Sequence, residues 1–172
     1  VSNGNYVGGI AGQAIVSDCI NYATVSGVED VGGVVGDGTA STSANHGDVS
    51  GQTNVGGVLG YALLELSYDC YNTGSVTGQT GVGGVVGRLY GSLYRSYSTG
   101  AVSGAENVGG VIGLISSSES DVINTFAIGS ISGTTNVGGV VGNSQGNNSS
   151  IGNGNHYGGS IPSSIPSIGD ST

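Results

Sequence analysis

Val31-Gly32-Gly33-Val34-Val35-Gly36 is a hexapeptide that the chain contains six times with small changes. The other copies read VGGIAG, VGGVLG, VGGVVG, VGGVIG and VGGVVG, and they begin at Val7, Val55, Val82, Val108 and Val137. Successive copies therefore begin 24, 24, 27, 26 and 29 residues apart. A period of this length is typical of solenoids, propellers and other arrays of stacked units.

The segment before each hexapeptide is also repeated, as in TVSGVEDVGGVVG (24–36) and SVTGQTGVGGVVG (75–87). The rest of each unit varies in length, so insertions are confined to one arc, which is called the variable arc below. Recurrent glycine and β-branched residues disfavour helices, and short Val/Ile segments between Gly, Asn and Ser predict strands. Three short strands per unit predict an all-β fold. We expect a right-handed parallel β-solenoid (a three-sided β-helix) of about six coils, with roughly 24–29 residues per coil. Propeller blades are longer, at about 40 residues or more.

The repeat divides the chain into three regions. Residues 1–142 form the predicted solenoid, residues 143–159 a degenerate final repeat or cap, and residues 160–172 a Ser/Pro/Ile-rich tail or linker. Pro162 and Pro166 disfavour a central strand in the tail. Val1-Ser2 corresponds to Val25-Ser26, so the first residue lies inside a repeat. We therefore expect a processed chain or a fragment, with any secretion signal upstream.

Strand alternation predicts which side chains face the core. One inward row is expected at Val25, Val49, Val76, Val102 and Ile131. The hexapeptide is ambiguous, because strict alternation cannot bury two adjacent valines. Either a Gly-Gly bulge resets the register, or one row faces outward as an apolar interface stripe, formed by Ile10, Val34, Val58, Val85, Val111 and Val140. A tight corner is expected at Asn72-Thr73-Gly74 and its equivalents, since asparagine tolerates left-handed backbone and glycine prefers it. Ala23 occupies the glycine position in one unit, so a positive φ is not required there.

The composition excludes several classes of partner. The 172 residues include 37 Gly and only two cations, Arg88 and Arg95, and the formal net charge is -9. Binding to a phosphate backbone requires clustered cations, so no nucleic acid or anionic membrane surface is expected as a partner. No apolar run approaches the roughly 20 residues that cross a bilayer, so membrane insertion is not expected either.

The cysteines and histidines, which often form disulfides, metal sites or catalytic sites in proteins, lie far apart in this chain. Cys19 and Cys70 share a repeat position but lie two coils apart, about 9.6 Å, which exceeds the roughly 7 Å that a disulfide spans. We therefore predict free, buried thiols. His46 and His156 lie in different coils, and no metal-binding or nucleophile motif is present, so no metal, cofactor or catalytic residue is predicted.

The acidic residues do not pair either. Asp18 and Asp69 share a row, but Thr42 lies between them in that row. The acids at the turn before the hexapeptide, Glu29, Asp30 and Glu106, are interpreted as solvated loop charges. The sequence therefore predicts a protein that is not an enzyme.

Aromatic residues cluster on the variable arcs of three successive coils, at Tyr68, Tyr71, Tyr90, Tyr94, Tyr97 and Phe126. One interpretation is that Tyr71, Tyr97 and Phe126 stack as a ladder that covers the core. The other is a sugar- or protein-binding face, since tyrosine combines a flat apolar ring with a polar tip. A third feature is a pair of outward Ser/Thr-rich rows beside the Val25 row, which makes ice binding a further hypothesis.

The unit YNTGSVTGQTGVGGVVG (71–87) resembles the GLUG repeat, and the resemblance covers about residues 1–142. GLUG repeats occur in tandem in large secreted and surface-anchored bacterial proteins, including adhesin-like proteins and the non-catalytic part of immunoglobulin A1 metallopeptidases. The resemblance implies a β-solenoid in an exported region at the cell surface. It implies no catalysis here, because the metallopeptidase zinc motif is missing.

These observations favour a non-catalytic structural or adhesive module, which is a rigid acidic rod at the cell surface. The expected partners are another copy of the chain, associated end to end or laterally, or a host or cell-surface protein or glycan. The expected location is extracellular or on the cell surface after bacterial-type secretion. The alternatives are a carbohydrate-binding module that uses the tyrosine-bearing arcs and an ice-binding solenoid.

Overall fold

The chain forms a parallel β-solenoid of about six coils in the computed structural model, which describes residues 4–63, 65–146 and 149–160. The described residues contain no helix. Every strand pair among them is parallel, and paired residues lie one repeat apart, as in Val31 with Val55 and Val82 with Val108. The predicted parallel β-solenoid of about six coils is confirmed, but the prediction of three strands per unit is wrong, because the hexapeptide is divided between two strands that belong to different sheets.

Four sheets run along the solenoid, here named A to D. Sheet A contains the strands Asn5–Gly8, Glu29–Gly32, Thr53–Gly56, Thr80–Gly83, Glu106–Gly109 and Thr135–Gly138. Sheet B contains the strands Ala11–Ser17, Val35–Ser41, Leu59–Ala62, Leu66–Tyr68, Val86–Leu89, Ser92–Tyr94, Ile112–Ile115, Asp121–Ile123, Val141–Ser144 and Ser150–Ile151. Sheet C contains the strands Ile20–Asn21, Ala44–Asn45, Tyr71–Asn72, Tyr97–Ser98, Phe126–Ala127 and His156–Tyr157. Sheet D contains the strands Val25–Ser26, Val49–Ser50, Val76–Thr77, Val102–Ser103 and Ile131–Ser132.

The hexapeptide contributes to two sheets because the chain bends in its middle. Val31-Gly32 ends a strand of sheet A, Gly33-Val34 forms the bend, and Val35-Gly36 begins a strand of sheet B. The N–H groups of Val34 and Val35 both donate to the carbonyl of Val58, at 3.0 Å each. Because the bend interrupts strand alternation, adjacent valines can both face the interior.

The exposed-stripe interpretation of the hexapeptide is therefore wrong. At its six positions, the side chains of Val34, Val58, Val85 and Val111 are 0% exposed and that of Val140 is 4% exposed, whereas Ile10 is 48% exposed. Ile10 belongs to the most N-terminal described coil, and only the coil that follows covers it. The other five residues belong to the core and cannot contact a partner.

The core consists of two clusters of valine, leucine and isoleucine. One lies between sheets A and D and joins the first valine of each hexapeptide to the row of Val25, Val49, Val76, Val102 and Ile131, whose predicted inward orientation is confirmed. The other cluster lies beneath sheet B and contains the last two valines of the hexapeptide together with Leu59, Leu89, Leu93 and Ile115. Burying each such side chain contributes about 1.5–3 kcal/mol.

Two rows of residues have left-handed backbone, one inside the strands of sheet A and the other between sheets B and C. One row precedes the hexapeptide, and its non-glycine members are Tyr6, Asp30, Asn54, Asn107 and Asn136. The other lies on the variable arc at Asp18, Thr42, Asp69, Arg95 and Asn124. The corner at Asn72-Thr73-Gly74 does not use left-handed backbone, because none of these three residues has a positive φ. That corner requires glycine for a steric reason: a Cβ on Gly74 would fall on the carbonyl oxygen of Gly47 in the preceding coil.

A buried ladder of asparagines lies on the inner side of sheet C. Asn21 Nδ2 donates to Asn45 Oδ1, and Asn45 Nδ2 donates to Asn72 Oδ1, at 2.8 Å each. Each Nδ2 also donates to the carbonyl two residues later in its own chain, at 2.6–2.7 Å. A Cβ on Gly33 would meet the Asn45 side chain, so the second glycine of the hexapeptide makes room for this ladder.

The region after the last hexapeptide continues the solenoid. Ser150–Ile151 pairs with sheet B and His156–Tyr157 with sheet C, both in parallel. Of the predicted tail at 160–172, all but residue 160 lies outside the described residues.

Replacing the corner glycine in the middle of the rod should strongly destabilise the fold. We expect Gly74→Ala to lower the free energy of unfolding by at least about 2 kcal/mol, because the added methyl overlaps backbone that cannot rotate away. The matched control is Gly152→Ala, whose Cβ would meet its nearest neighbour at an ordinary 3.4 Å. Urea denaturation of both variants measures the difference. Equal stabilities would contradict the steric role of Gly74.

Candidate interaction surface

A continuous row of rings lies on the outer side of sheet C. It is called the aromatic strip and consists of Tyr22, His46, Tyr71, Tyr97 and Phe126, one from each of five successive coils. Sheet C places them outside because the residues that alternate with them, the asparagine ladder and its equivalents, point inward. Tyr71, Tyr97 and Phe126 pair in register one position before the inward row, whereas Tyr22 and His46 lie one position after it, on the same outer face.

The rings of the strip contact one another without a gap. Tyr71 and Tyr97 stack with ring centroids 5.1 Å apart and planes 5° from parallel, and Tyr97 and Phe126 stack at 4.8 Å and 2°. Tyr22 stacks on His46 at 4.9 Å, and His46 meets Tyr71 edge-on at 5.5 Å. Because both faces of Tyr97 and one face of Tyr71 are stacked against neighbouring rings, the middle of the strip presents mainly ring edges to solvent.

Polar contacts orient the histidine within the strip. Its Nδ1 lies 2.9 Å from Thr73 Oγ1, and its Nε2 lies 3.5 Å from the hydroxyl oxygen of Tyr71. The strip is exposed most at its two ends, where Tyr22 is 73% and Phe126 37% exposed. Ile20 and Ile128 lie beside these two ends and are 50% and 53% exposed. Together these residues form an apolar face along one side of the rod.

The structure divides the six predicted aromatic residues between two faces. Tyr71, Tyr97 and Phe126 stack as a ladder, as one of the two interpretations predicts. Tyr68 and Tyr94 pair with each other in sheet B, and Tyr90 lies just before that strand. The two groups are separated by the corner at Asp69 and Arg95.

The sheet B tyrosines have polar partners. The hydroxyl of Tyr94 donates to Asp121 Oδ2 at 3.3 Å, and the guanidinium carbon of Arg95 lies 5.5 Å from the ring centroid of Tyr68. These tyrosines therefore belong to a charged surface, in contrast to the apolar face on sheet C.

Two members of the strip, Tyr22 and His46, are absent from the aromatic surface that the sequence predicts. The signal was present in the register: both residues directly follow an asparagine of the buried ladder, at Asn21 and Asn45. Aligning the arcs on these asparagines places Tyr22 and His46 on the same face as Tyr71. The sequence predicts a tight corner at these asparagines, and a corner does not assign Tyr22 and His46 to a face of a sheet.

The acidic residues lie in three different settings. Asp69 forms an exposed bidentate pair with Arg95, at 2.7 and 2.9 Å, and this hydrogen bonding lowers the pKa of the Asp69 carboxyl. Asp18 and Asp69 are separated by Thr42 in the left-handed row, as predicted. Glu29 and Glu106 are exposed, but Asp30 is buried and accepts a hydrogen bond from Asn54 Nδ2 at 2.7 Å. Burial raises the pKa of Asp30, so its interpretation as a solvated charge is wrong.

Both cysteines are free, as predicted. Cys70 is fully buried, and burial raises the pKa of its thiol to about 11. Its N–H donates to Ser96 Oγ at 3.1 Å, and Ser43 occupies the equivalent position between Cys19 and Cys70. Cys19 is only partly buried, because it lies in the most N-terminal described coil. The thiols thus occupy positions that serine fills elsewhere.

The outward rows of sheet D carry the hydroxyl groups on which the ice-binding hypothesis depends. One row contains Thr24, Asp48, Ser75, Ala101 and Ser130, all of them exposed, and the other contains Ser26, Ser50, Thr77, Ser103 and Ser132. Some members bond to one another, as Ser132 Oγ does to Ser103 Oγ at 3.1 Å. Asp48 and Ala101 interrupt the first row.

Within the described ranges, no three His, Cys, Asp or Glu side chains are grouped as metal ligands would be. The part of the chain that the structure describes has no helix long and apolar enough to span a bilayer. Comparison of the chain with protein-family models, with curated proteins and with solved structures finds no match. The resemblance to the GLUG repeat therefore stays a prediction.

The buried thiol of Cys70 should make stability depend on alkaline pH. The thiol ionises near 9.0 when unfolded and near 11 when folded. The folded state therefore holds the proton more tightly, and this contribution is present below pH 9 and lost as the pH rises to 11. We expect the free energy of unfolding to fall between these pH values by up to about 2 kcal/mol more in the wild type than in Cys70→Ser. Cys19→Ser is the control, and parallel pH profiles for the wild type and Cys70→Ser would contradict the prediction.

Proposed function

We propose that this chain is a non-catalytic structural and adhesive module, a stiff acidic rod that presents the aromatic strip to a protein partner at a cell surface. The observation that carries the proposal is the strip itself. It is a continuous run of contacting rings across five coils, with exposed isoleucines beside both of its ends. A contiguous exposed apolar surface is a candidate interaction site.

The stiffness of the rod supports this role. Sheets A to D are hydrogen-bonded in one register through the coils, and the left-handed rows and glycine corners repeat from coil to coil. A surface on such a scaffold is largely formed before binding, which lowers the entropic cost of association. The net charge of -9 favours solubility and disfavours anionic partners. The GLUG resemblance supports an extracellular or cell-surface location.

The orientation of the rings favours a protein over a glycan as the partner. Sugars bind aromatic side chains by lying flat on a ring face, but both faces of Tyr97 and one face of Tyr71 are covered by neighbouring rings. Ring edges carry partial positive charge and favour contact with the faces of a partner's aromatic side chains. A glycan is the second candidate, because Tyr22 is 73% exposed and stacks on a ring at one face.

A binding assay on the full chain tests this proposal. Beads that carry the protein are presented to surfaces of collagen and fibrinogen and to a glycan array. We expect binding to at least one of the protein surfaces, and we expect the double variant Tyr22→Ser/Ile128→Ser to reduce it by at least about tenfold, or roughly 1.4 kcal/mol.

The matched control is Tyr90→Ser/Ile15→Ser, which removes the same two residue types from exposed positions on the sheet B side. It should bind within about twofold of the wild type, since it leaves the strip intact. Equal losses in both double variants would contradict the role of the strip. Binding to glycans alone, lost with Tyr22→Ser, would replace the protein partner with a carbohydrate. Absence of binding to every surface would reject adhesion.

A further inference from the structure

The N-terminal end of the described solenoid has one feature that favours a further coil. Ile10 is 48% exposed, whereas its equivalents in the other five coils are 0–4% exposed. The adjoining strand, Ala11–Ser17, pairs only with Val35–Ser41 among the described strands. An open apolar core next to an unpaired strand edge is the usual template for adding another strand. This end is thus where the end-to-end association expected from the sequence would begin.

The corner between sheets C and D, in contrast, restricts the stacking of a further coil. Glycine occupies this corner in five successive coils, at Gly47, Gly74, Gly100, Gly129 and Gly159. In each case an added Cβ would fall on the carbonyl oxygen of the equivalent residue in the preceding coil, closer than real Cβ atoms approach. One coil can therefore stack on the preceding coil at this corner only when its own corner residue is glycine.

Ala23 is the exception, and it occupies the corner of the most N-terminal described coil. Its local geometry matches that of the glycine corners. The carbonyl of Ala23 accepts a hydrogen bond from Asn21 Nδ2 at 2.7 Å, as that of Gly74 does from Asn72 Nδ2. The N–H of Ala23 donates to Asn21 Oδ1 at 3.1 Å, matching the 3.2 Å bond from Gly74 to Asn72. The methyl group of Ala23 therefore points to where the carbonyl of a preceding coil would lie.

We infer that Ala23 prevents a further coil from stacking in register on this end of the rod. The methyl group and a stacked carbonyl oxygen would occupy the same space, and the backbone at the corner cannot shift without breaking its bonds to Asn21. A second copy of the chain consequently cannot continue the solenoid here, and a partner that covers Ile10 must leave the corner open. This inference is independent of the adhesive role.

Adding one coil to the full chain tests the inference directly. A copy of residues 25–48 is joined ahead of Val1, which places the copied Gly47 one coil before Ala23 because Val1 corresponds to Val49. In the extended chain with Ala23, the amides of the added coil should exchange with deuterium freely. In the extended chain with Ala23→Gly, the same amides should exchange at least about tenfold more slowly, since the coil can then form its ladder bonds.

The matched control is Ala101→Gly in the extended chain, which makes the same chemical change at an exposed position on the side of the rod. It should leave the added coil unprotected. Protection of the added coil with Ala23 present would overturn the inference. So would free exchange in the Ala23→Gly chain, because another feature would then have to block the end.

Discussion

The spacing of about 4.8 Å between hydrogen-bonded coils is the constraint on which the rest of this structure depends. Each coil lies directly on the backbone of its neighbour, so a side chain directed along the rod would occupy the position of a carbonyl oxygen. Cβ atoms on Gly32, Gly33 and Gly36 would each meet backbone atoms, and the corner glycines show the same restriction. The chain therefore contains many glycines because a larger residue at these positions would overlap a neighbouring coil. Ala23, in the most N-terminal described coil, is the exception among the corner residues.

The constraint also couples parts of the repeat that are distant in sequence. The second glycine of each hexapeptide lies opposite the inward row of sheet C, where Asn21, Asn45 and Asn72 form the buried ladder. Buried amides are tolerated only when they are hydrogen-bonded, and each of these amides bonds both along the row and within its own coil. The hexapeptide thus provides the space that the polar row requires, while its valines provide the core on either side of the bend.

The same periodicity determines the outer surface. Residues at one repeat position become neighbours about one coil apart, so a single residue type repeated at 24–29 residue intervals becomes a row. Rings at the two outward positions that flank the inward row of sheet C produce the aromatic strip, and hydroxyl groups on sheet D produce a polar face. Insertions fall within sheet B, between its two strands in each later coil, and leave these rows undisturbed. The repeat period therefore determines both the stacking of the coils and the rows of side chains on their surface.

The sequence by itself determined the period, the parallel register, the inward Val25 row, the separation of the two cysteines and the stacking partners of Tyr97, since all of these follow from counting residues between equivalent positions. Tertiary structure alone decided the rest. It buried both adjacent valines of the hexapeptide through a bend, placed the left-handed residues before the hexapeptide and on the arc, buried Asp30 and extended the strip to Tyr22 and His46. Counting gives neighbours along the rod, but only the path of the backbone around each coil decides which side of the chain is enclosed.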